Sequence, residues 1–388
     1  MVFEFDFNAL ERHSDGYPGG QHLPNGLHSH RGPVDTGVRR MDMQPAAVQP
    51  ATVMPKPRTY DSRPPQNKSG IQRIKPFGQE SEEEEARFNV TRRGNMWDVE
   101  SVVACRKNRI RGLPAMPPRL VPMALDCYKA RQCVGVMRAL SEAEIKICRD
   151  GLDRFQKYHG VGILQNNQTL NNHVTLPWLY ELVRHPRIVG AVASVLGCED
   201  VLLYSSCMFL REGGQSCETM YGVGWHEDGV LYSKVLEPMK DWITAFVALT
   251  PCGRQEGCLQ YIPPFYNKGQ QVSGADPPYY DMEMLPGEFS LHSSTVTHRG
   301  GTNSTSQRRD CIALRYISGR VRDKVADQQG KFAQRDWAVP CCGSPTPQHF
   351  LPLPAPVEEL GEKELDMQSA MDMLRNKRYG TTTFDRRK

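Results

Sequence analysis

No stretch of this 388-residue sequence approaches the roughly 20 consecutive apolar residues that a membrane-crossing helix requires. Its 12 cysteines form neither a C-x-x-C pair nor a zinc-like spacing with histidine. That excludes the usual sequence signs of a structural zinc site or a thioredoxin-like redox motif. Cys341 and Cys342 are adjacent, and Cys252 and Cys258 are close, but neither pair has a repeated counterpart. A chain of this length can build a sufficient core without disulfides, so reduced thiols are expected. The formal net charge is only +4, and no basic stripe alternates with aromatic residues, so a nucleic-acid surface is not expected. There is no internal repeat. The opening Met1-Val2-Phe3-Glu4-Phe5-Asp6 does not read as a secretory or mitochondrial leader, and Asp385-Arg386-Arg387-Lys388 is not a peroxisomal signal. The expectation is a cytoplasmic protein with no membrane partner.

What is present divides the chain into three. Residues 1–115 read as a disordered N-terminal tail, rich in Gly, Pro, His, Gln and Arg, as in Arg63-Pro64-Pro65-Gln66-Asn67, with an acidic run from Glu80 to Glu85. Such composition buries too little apolar surface to offset its ordering entropy. Residues 116–320 carry the patterned segments. Ser141 followed by Glu144 is a capping box, and Ile145, Cys148, Leu152 and Phe155 recur at helical spacing, predicting a helix to about Tyr158. A second helical stretch near Trp178 breaks at His185-Pro186, resumes from that proline and stops at Gly197. The period then shortens. Strands are expected at 201–204, 206–210, 243–249, 258–262, 288–292 and 311–317, punctuated by glycine and proline. Helices followed by many short strands predict a mainly β fold with flanking helices, built on a double-stranded β-helix (a jelly-roll, cupin-like) core. Residues 321–388 read as a C-terminal extension with one helix over about 357–376.

The chemistry lies in two segments. In Gly224-Trp225-His226-Glu227-Asp228-Gly229 an imidazole and a carboxylate stand two positions apart, which on a strand projects both from one face. One more histidine from a distant strand completes a two-histidine, one-carboxylate facial triad with open positions, the pattern of non-haem Fe(II) oxygenases. With 11 histidines present, an isolated H-x-D is weak, since roughly half a chance match is expected. A solvated-loop pair would explain it equally well. The second segment adds weight. It runs from Pro286-Gly287-Glu288 through His292 and His298 to Gly300-Gly301-Thr302-Asn303 and Arg308-Arg309. A guanidinium is suited to holding the far carboxylate of a dicarboxylate that chelates iron at its other end.

Together these segments resemble the phytanoyl-CoA dioxygenase family of Fe(II)/2-oxoglutarate enzymes. The residues that carry the likeness are Trp225 to Gly229, the strand from Ile243 with Glu256-Gly257-Cys258-Leu259 after it, Pro286-Gly287-Glu288, and an arginine eleven residues beyond His298. The resemblance spans about residues 125–320. It implies His226, Asp228 and His298 as catalytic iron ligands and Arg309 as the 2-oxoglutarate anchor, with O2 as second co-substrate and ascorbate as a stimulant. Thr244 and Asn303 are further candidates for touching the co-substrate, against plainer roles as strand former and turn cap. Phe246 stands where the family often has Trp, and retention of Asp228 argues against halogenation.

Several alternatives remain open at this level. His292 competes with His298, and Arg308 and Arg315 compete with Arg309. Glu227 is expected to face away from the metal. The implied reaction is oxidation of an unactivated C–H bond of a small molecule, by hydroxylation, desaturation or ring closure, with succinate and CO2 released. Substrate contacts are expected from 164–173 and 268–280. A cupin-type metalloenzyme independent of 2-oxoglutarate and a non-catalytic jelly-roll binding protein are the other readings. Oligomeric state has no sequence signal.

Overall fold

A computed structural model describes residues 96–110, 117–160, 166–214, 224–264, 279–330, 334–343 and 347–380. Helix α1 is Val99–Ile110, α2 Pro122–Arg131, α3 Glu142–His159, α4 Asn166–Thr169, α5 Pro177–Val183 and α6 Pro186–Leu196. The capping box predicted at the start of α3 is formed. Ser141 Oγ accepts from the Glu144 N–H at 3.3 Å, and Glu144 Oε2 accepts from the Ser141 N–H at 2.8 Å. Ile145, Cys148, Leu152 and Phe155 make its buried stripe. Pro186 separates α5 from α6 as expected, because its ring cannot continue a helix but suits a first turn.

The strands are β1 Cys133–Arg138, β2 Val201–Arg211, β3 Leu236–Glu237, β4 Trp242–Ala248, β5 Leu259–Tyr261, β6 Tyr280–Met282, β7 Glu288–Ser293, β8 His298–Gly300, β9 Arg309–Ser318, β10 Arg322–Asp323, β11 Trp337–Cys342 and β12 Leu351–Pro352. Seven of them form one sheet in the order β1-β7-β4-β9-β2-β11-β12, and β6-β5-β8 form a second. These are the two walls of the jelly roll. Every residue of β4 and β9 is buried, since the large sheet is covered on both faces. Alternate positions serve different layers. Ile312, Leu314 and Tyr316 join Ala245, Val247, Leu291 and the helix residues Phe155, Trp178 and Val192 in one core. Cys311 and Ala313 instead join Phe246, Leu259 and Tyr261 in a second cluster. Close helix packing depends on one glycine: a Cβ at Gly151 of α3 would lie 2.4 Å from the Trp178 indole nitrogen.

Three expectations are corrected. The two strands expected at 201–204 and 206–210 are one, β2, which absorbs the interruption as a register shift between Leu203 and Ser205 opposite β9. Residues 96–110, expected to belong to the tail over 1–115, are instead packed on the domain. Met96 and Trp97 are buried, Trp97 packs on Phe289 with ring centroids 6.4 Å apart, and Val102 of α1 joins the same core. The expected tail's residues 1–95 and 111–116 lie outside the described residues. Residues beyond Arg320 do not stand apart as an extension either. Strand β11 pairs antiparallel with β2 inside the large sheet, and the predicted C-terminal helix forms over Glu362–Tyr379.

That helix is α9, counting α7 Gly229–Tyr232 and α8 Lys324–Gln329 before it. A fully buried ion pair fastens it, Arg375 Nε to Asp336 Oδ2 at 3.0 Å. Arg375 also donates to Asn171 Oδ1 at 3.2 Å and lies 4.1 Å over the Tyr204 ring. The Tyr204 hydroxyl donates to Asp336 Oδ2 at 2.8 Å and meets the Tyr379 hydroxyl at 2.9 Å. Because each buried charge here has several partners, the desolvation penalty of the pair is offset locally.

Candidate metal centre

His226 and His298 are held together by backbone before any side-chain chemistry applies. They form an isolated antiparallel bridge, with His226 N–H donating to His298 O at 3.0 Å and the reverse bond at 2.9 Å. That exchange adds His226 to the edge of β8 and sets the two rings 4.3 Å apart. Asp228 was expected on a strand beside His226. Instead the chain turns at Glu227, Asp228 starts α7, and the Gly229 N–H bonds to Ser294 O at 2.7 Å. The turn still delivers the carboxylate, and ligand atoms of His226, Asp228 and His298 all lie within 4.8 Å of one another. Among the described residues no other group of this kind occurs.

The hydrogen bonds identify which atoms face inward. Nδ1 of His226 lies 3.0 Å from Gly224 O, and Nδ1 of His298 lies 3.0 Å from Val296 O. A carbonyl oxygen only accepts, so both Nδ1 atoms carry the proton and both Nε2 lone pairs are left for a metal. Burial and the neighbouring His226 ring push His298 down to about 4, so it is a neutral donor at ordinary pH. The carboxylate is oriented from one level of the large sheet. On adjacent strands β7, β4 and β9, His292, Thr244 and Arg315 are register partners. Thr244 Oγ1 donates to Asp228 Oδ2 at 2.9 Å and Arg315 Nε to the same oxygen at 3.4 Å, while His292 Nε2 stands 3.9 Å away. Oδ1 is left facing His226 Nε2 at 3.8 Å. Burial pushes Asp228 up, but Arg315 and the three histidines outweigh it and hold the carboxyl well below its usual range. Two imidazoles and one carboxylate at a cavity fit a ferrous ion with open positions.

The trio opens into a cavity of about 550 Å3, within the roughly 300–1,000 Å3 typical of small-molecule sites. Arg309, Thr244, Phe246 and Arg315 line it, as does His292. Arg309 is 2% exposed and donates to Gly257 O. Arg308 turns away, paired to Asp310 at 2.6 Å and to Gln156 at 2.6 Å. Thr244 spends its hydroxyl proton on Asp228, as above. Asn303 is buried but absent from the lining. Its amide donates to Arg211 O at 3.1 Å and Gln307 O at 2.7 Å, and its oxygen accepts from Thr305, so it fixes the turn. His292 lies beside the trio, its ring 4.5 Å from His298, with Nδ1 3.0 Å from the Tyr261 hydroxyl. Glu227 is not in the trio, although it lines the cavity. Of the expected substrate segments, Leu170 lines the cavity, while 164–165 and 268–278 lie outside the described residues.

Arg211 went unnoticed in the sequence. It lines the cavity from β2, directly opposite Arg309 in register, and donates to the Gly301 carbonyl. Strand parity could have found it, since Cys207, Phe209 and Arg211 share one face of β2 and all three line the cavity.

A family model, Phytanoyl-CoA dioxygenase (PhyH), matches residues 133–311. Over that segment, just under half of its length, the chain is similar to the phytanoyl-CoA dioxygenase family. The family segment begins at β1 and ends within β9, so it contains the trio and Arg309. Among solved structures, the chain is similar to one described as a non-heme monooxygenase, ThoJ-Ni complex. Identity is 26%, with 67% of this chain and 99% of that chain covered, at a TM-score of 0.55. The ThoJ apo structure is 23% identical over 68% of this chain and 100% of that chain, also at a TM-score of 0.55. No curated protein matches the sequence. The protein is an Fe(II)/2-oxoglutarate-type oxygenase, an oxidoreductase whose fold is the jelly roll.

Proposed function

We propose that the protein oxidises an unactivated C–H bond of a small molecule, by hydroxylation or by the related desaturation or ring closure. His226, Asp228 and His298 are its iron ligands and Arg309 its 2-oxoglutarate anchor. The observation that carries this reading is the shared cavity: His226, Asp228 and His298 line it together with the buried Arg309. The ferrous ion, when bound with 2-oxoglutarate and O2, supplies the oxidising power that accompanies conversion of 2-oxoglutarate to succinate and CO2.

The chain's own residues do the rest. Nε2 of His226, Nε2 of His298 and Oδ1 of Asp228 would hold the metal, as a two-histidine, one-carboxylate set does in non-haem iron sites. Thr244 and Arg315 hold Oδ2 and leave Oδ1 facing His226, which orients the carboxylate. Arg309 would offer its guanidinium to the distal carboxylate of 2-oxoglutarate. Phe246, Leu259 and Ala313 make the adjoining wall apolar and exclude water from the reacting region. ThoJ, described as a non-heme monooxygenase, supports the same reaction class.

Anaerobic titration with Fe(II) and then 2-oxoglutarate tests the assignment, read by the visible metal-to-ligand charge-transfer band. A protein that binds iron but develops no band with 2-oxoglutarate would refute it.

A further inference from the structure

The outer part of the cavity has a chemistry that metal and co-substrate binding leave unused. Its rim is built by α7 and the turn after it. Val230 of α7 is 69% exposed, and Leu231 beside it is half-buried. Both line the cavity, together with Leu170 and Phe209. Lys234 follows on the same turn, its N–H bonded to Leu231 O at 3.3 Å, and its exposed side chain belongs to the lining too. Among the described residues no carboxylate pairs with Lys234.

The charge on the wall points the same way. Four cationic side chains, Arg211, Lys234, Arg309 and Arg315, line the cavity against two carboxylates, Glu227 and Asp228. A ferrous ion brings two positive charges and 2-oxoglutarate two negative ones, so loading both leaves the cationic excess standing. A concave apolar wall with surplus positive charge concentrates field lines and draws anions. Resting on the oxygenase reading above, we propose that the substrate is an apolar organic anion. Lys234 holds its charged end at the rim, and its apolar body lies along Val230, Leu231, Leu170 and Phe209 towards the metal. Lys234 is thus a specificity residue.

Two fluorescent probes of similar shape separate charge from apolar contact: 8-anilinonaphthalene-1-sulfonate, which is anionic, and N-phenyl-1-naphthylamine, which is neutral. Both are titrated into the full chain loaded anaerobically with Fe(II) and 2-oxoglutarate, with the charge-transfer band recorded in the same sample. The sulfonate should bind about tenfold more tightly than the neutral probe. Lys234→Glu should weaken the sulfonate roughly tenfold, and Lys234→Gln about threefold, with the neutral probe little changed. Lys240→Glu, an equal charge change outside the lining, should leave both probes as in wild type. Equal affinity for the two probes with the band present overturns the anion preference and leaves the oxygenase reading standing. So does a loss in Lys240→Glu matching that in Lys234→Glu. Absence of the band in the wild-type protein overturns both.

Discussion

Replacing Thr244 by valine removes one hydroxyl from the large sheet and leaves its shape nearly unchanged. The hydroxyl donates to Asp228 Oδ2 at 2.9 Å, between residues that are 1% and 7% exposed. A hydrogen bond to a charged group contributes about 1.5–3 kcal/mol, and each 1.4 kcal/mol is about a tenfold change in affinity. Arg315 Nε stays near the same oxygen at 3.4 Å and limits how far the carboxylate can turn. The loss in Fe(II) affinity should therefore sit at the lower end, about tenfold, consistent with the roughly 10–100-fold cost of removing a group that orients a metal ligand. Thr244→Ser keeps the donor and should recover most of the affinity. The assay is anaerobic Fe(II) titration, with thermal unfolding of the metal-free variants in parallel to separate metal affinity from general stability. If Thr244→Val binds Fe(II) as tightly as wild type, the hydroxyl does not set the carboxylate. An equal loss in Thr244→Ser would show that packing, not the donated proton, is responsible.

Arg309→Ala should raise the 2-oxoglutarate concentration for half-maximal succinate release by roughly tenfold to a hundredfold. Iron content should hold, and Arg309→Lys should recover only part of the loss. Metal analysis should find iron lost from His226→Ala, Asp228→Ala and His298→Ala but kept in His292→Ala; the reverse pattern for the last two would exchange their roles. Glycine-to-alanine changes within a helix ordinarily stabilise by about 1 kcal/mol. Gly151→Ala should do the opposite and lower the melting temperature, because the new methyl would meet the Trp178 ring at 2.4 Å.

Much of this architecture follows from short-range patterns. Ser141 with Glu144, the His185-Pro186 break and the apolar strand runs act through neighbours within a few residues, so they can be read directly. The H-x-D segment was legible as chemistry but not as geometry. His226 gains its strand-like partner from His298, some seventy residues away, and Asp228 is aimed by a turn rather than by a strand. Among the residues of helix α1 whose burial is described, Val102 and Cys105 are the buried ones, too few to make a helical stripe, and Trp97 is recruited by Phe289 across the fold. Strand β11 carries Pro340 and two cysteines, a poor strand signal that pairing with β2 overrides. Arg211 and Arg375 look like ordinary surface cations until long-range pairing buries them.

The anchoring of α9 has a consequence for the protein's biogenesis. Tyr379 rests against Tyr232, a cavity residue, at a ring distance of 5.7 Å, and Arg375 ties down Asn171 beside Leu170 of the same wall. Each of these wall contacts is supplied by residues synthesised after every metal ligand. Tyr379 follows His298 by 81 residues, about 4–16 seconds at translation rates of roughly 5–20 residues per second. During that interval a nascent chain holds all three ligands but lacks the packing behind them. The cavity wall is therefore completed only by the last part of the chain to be made, and a ribosome stalled before Glu362 carries His226, Asp228 and His298 without the contacts that Arg375 and Tyr379 supply.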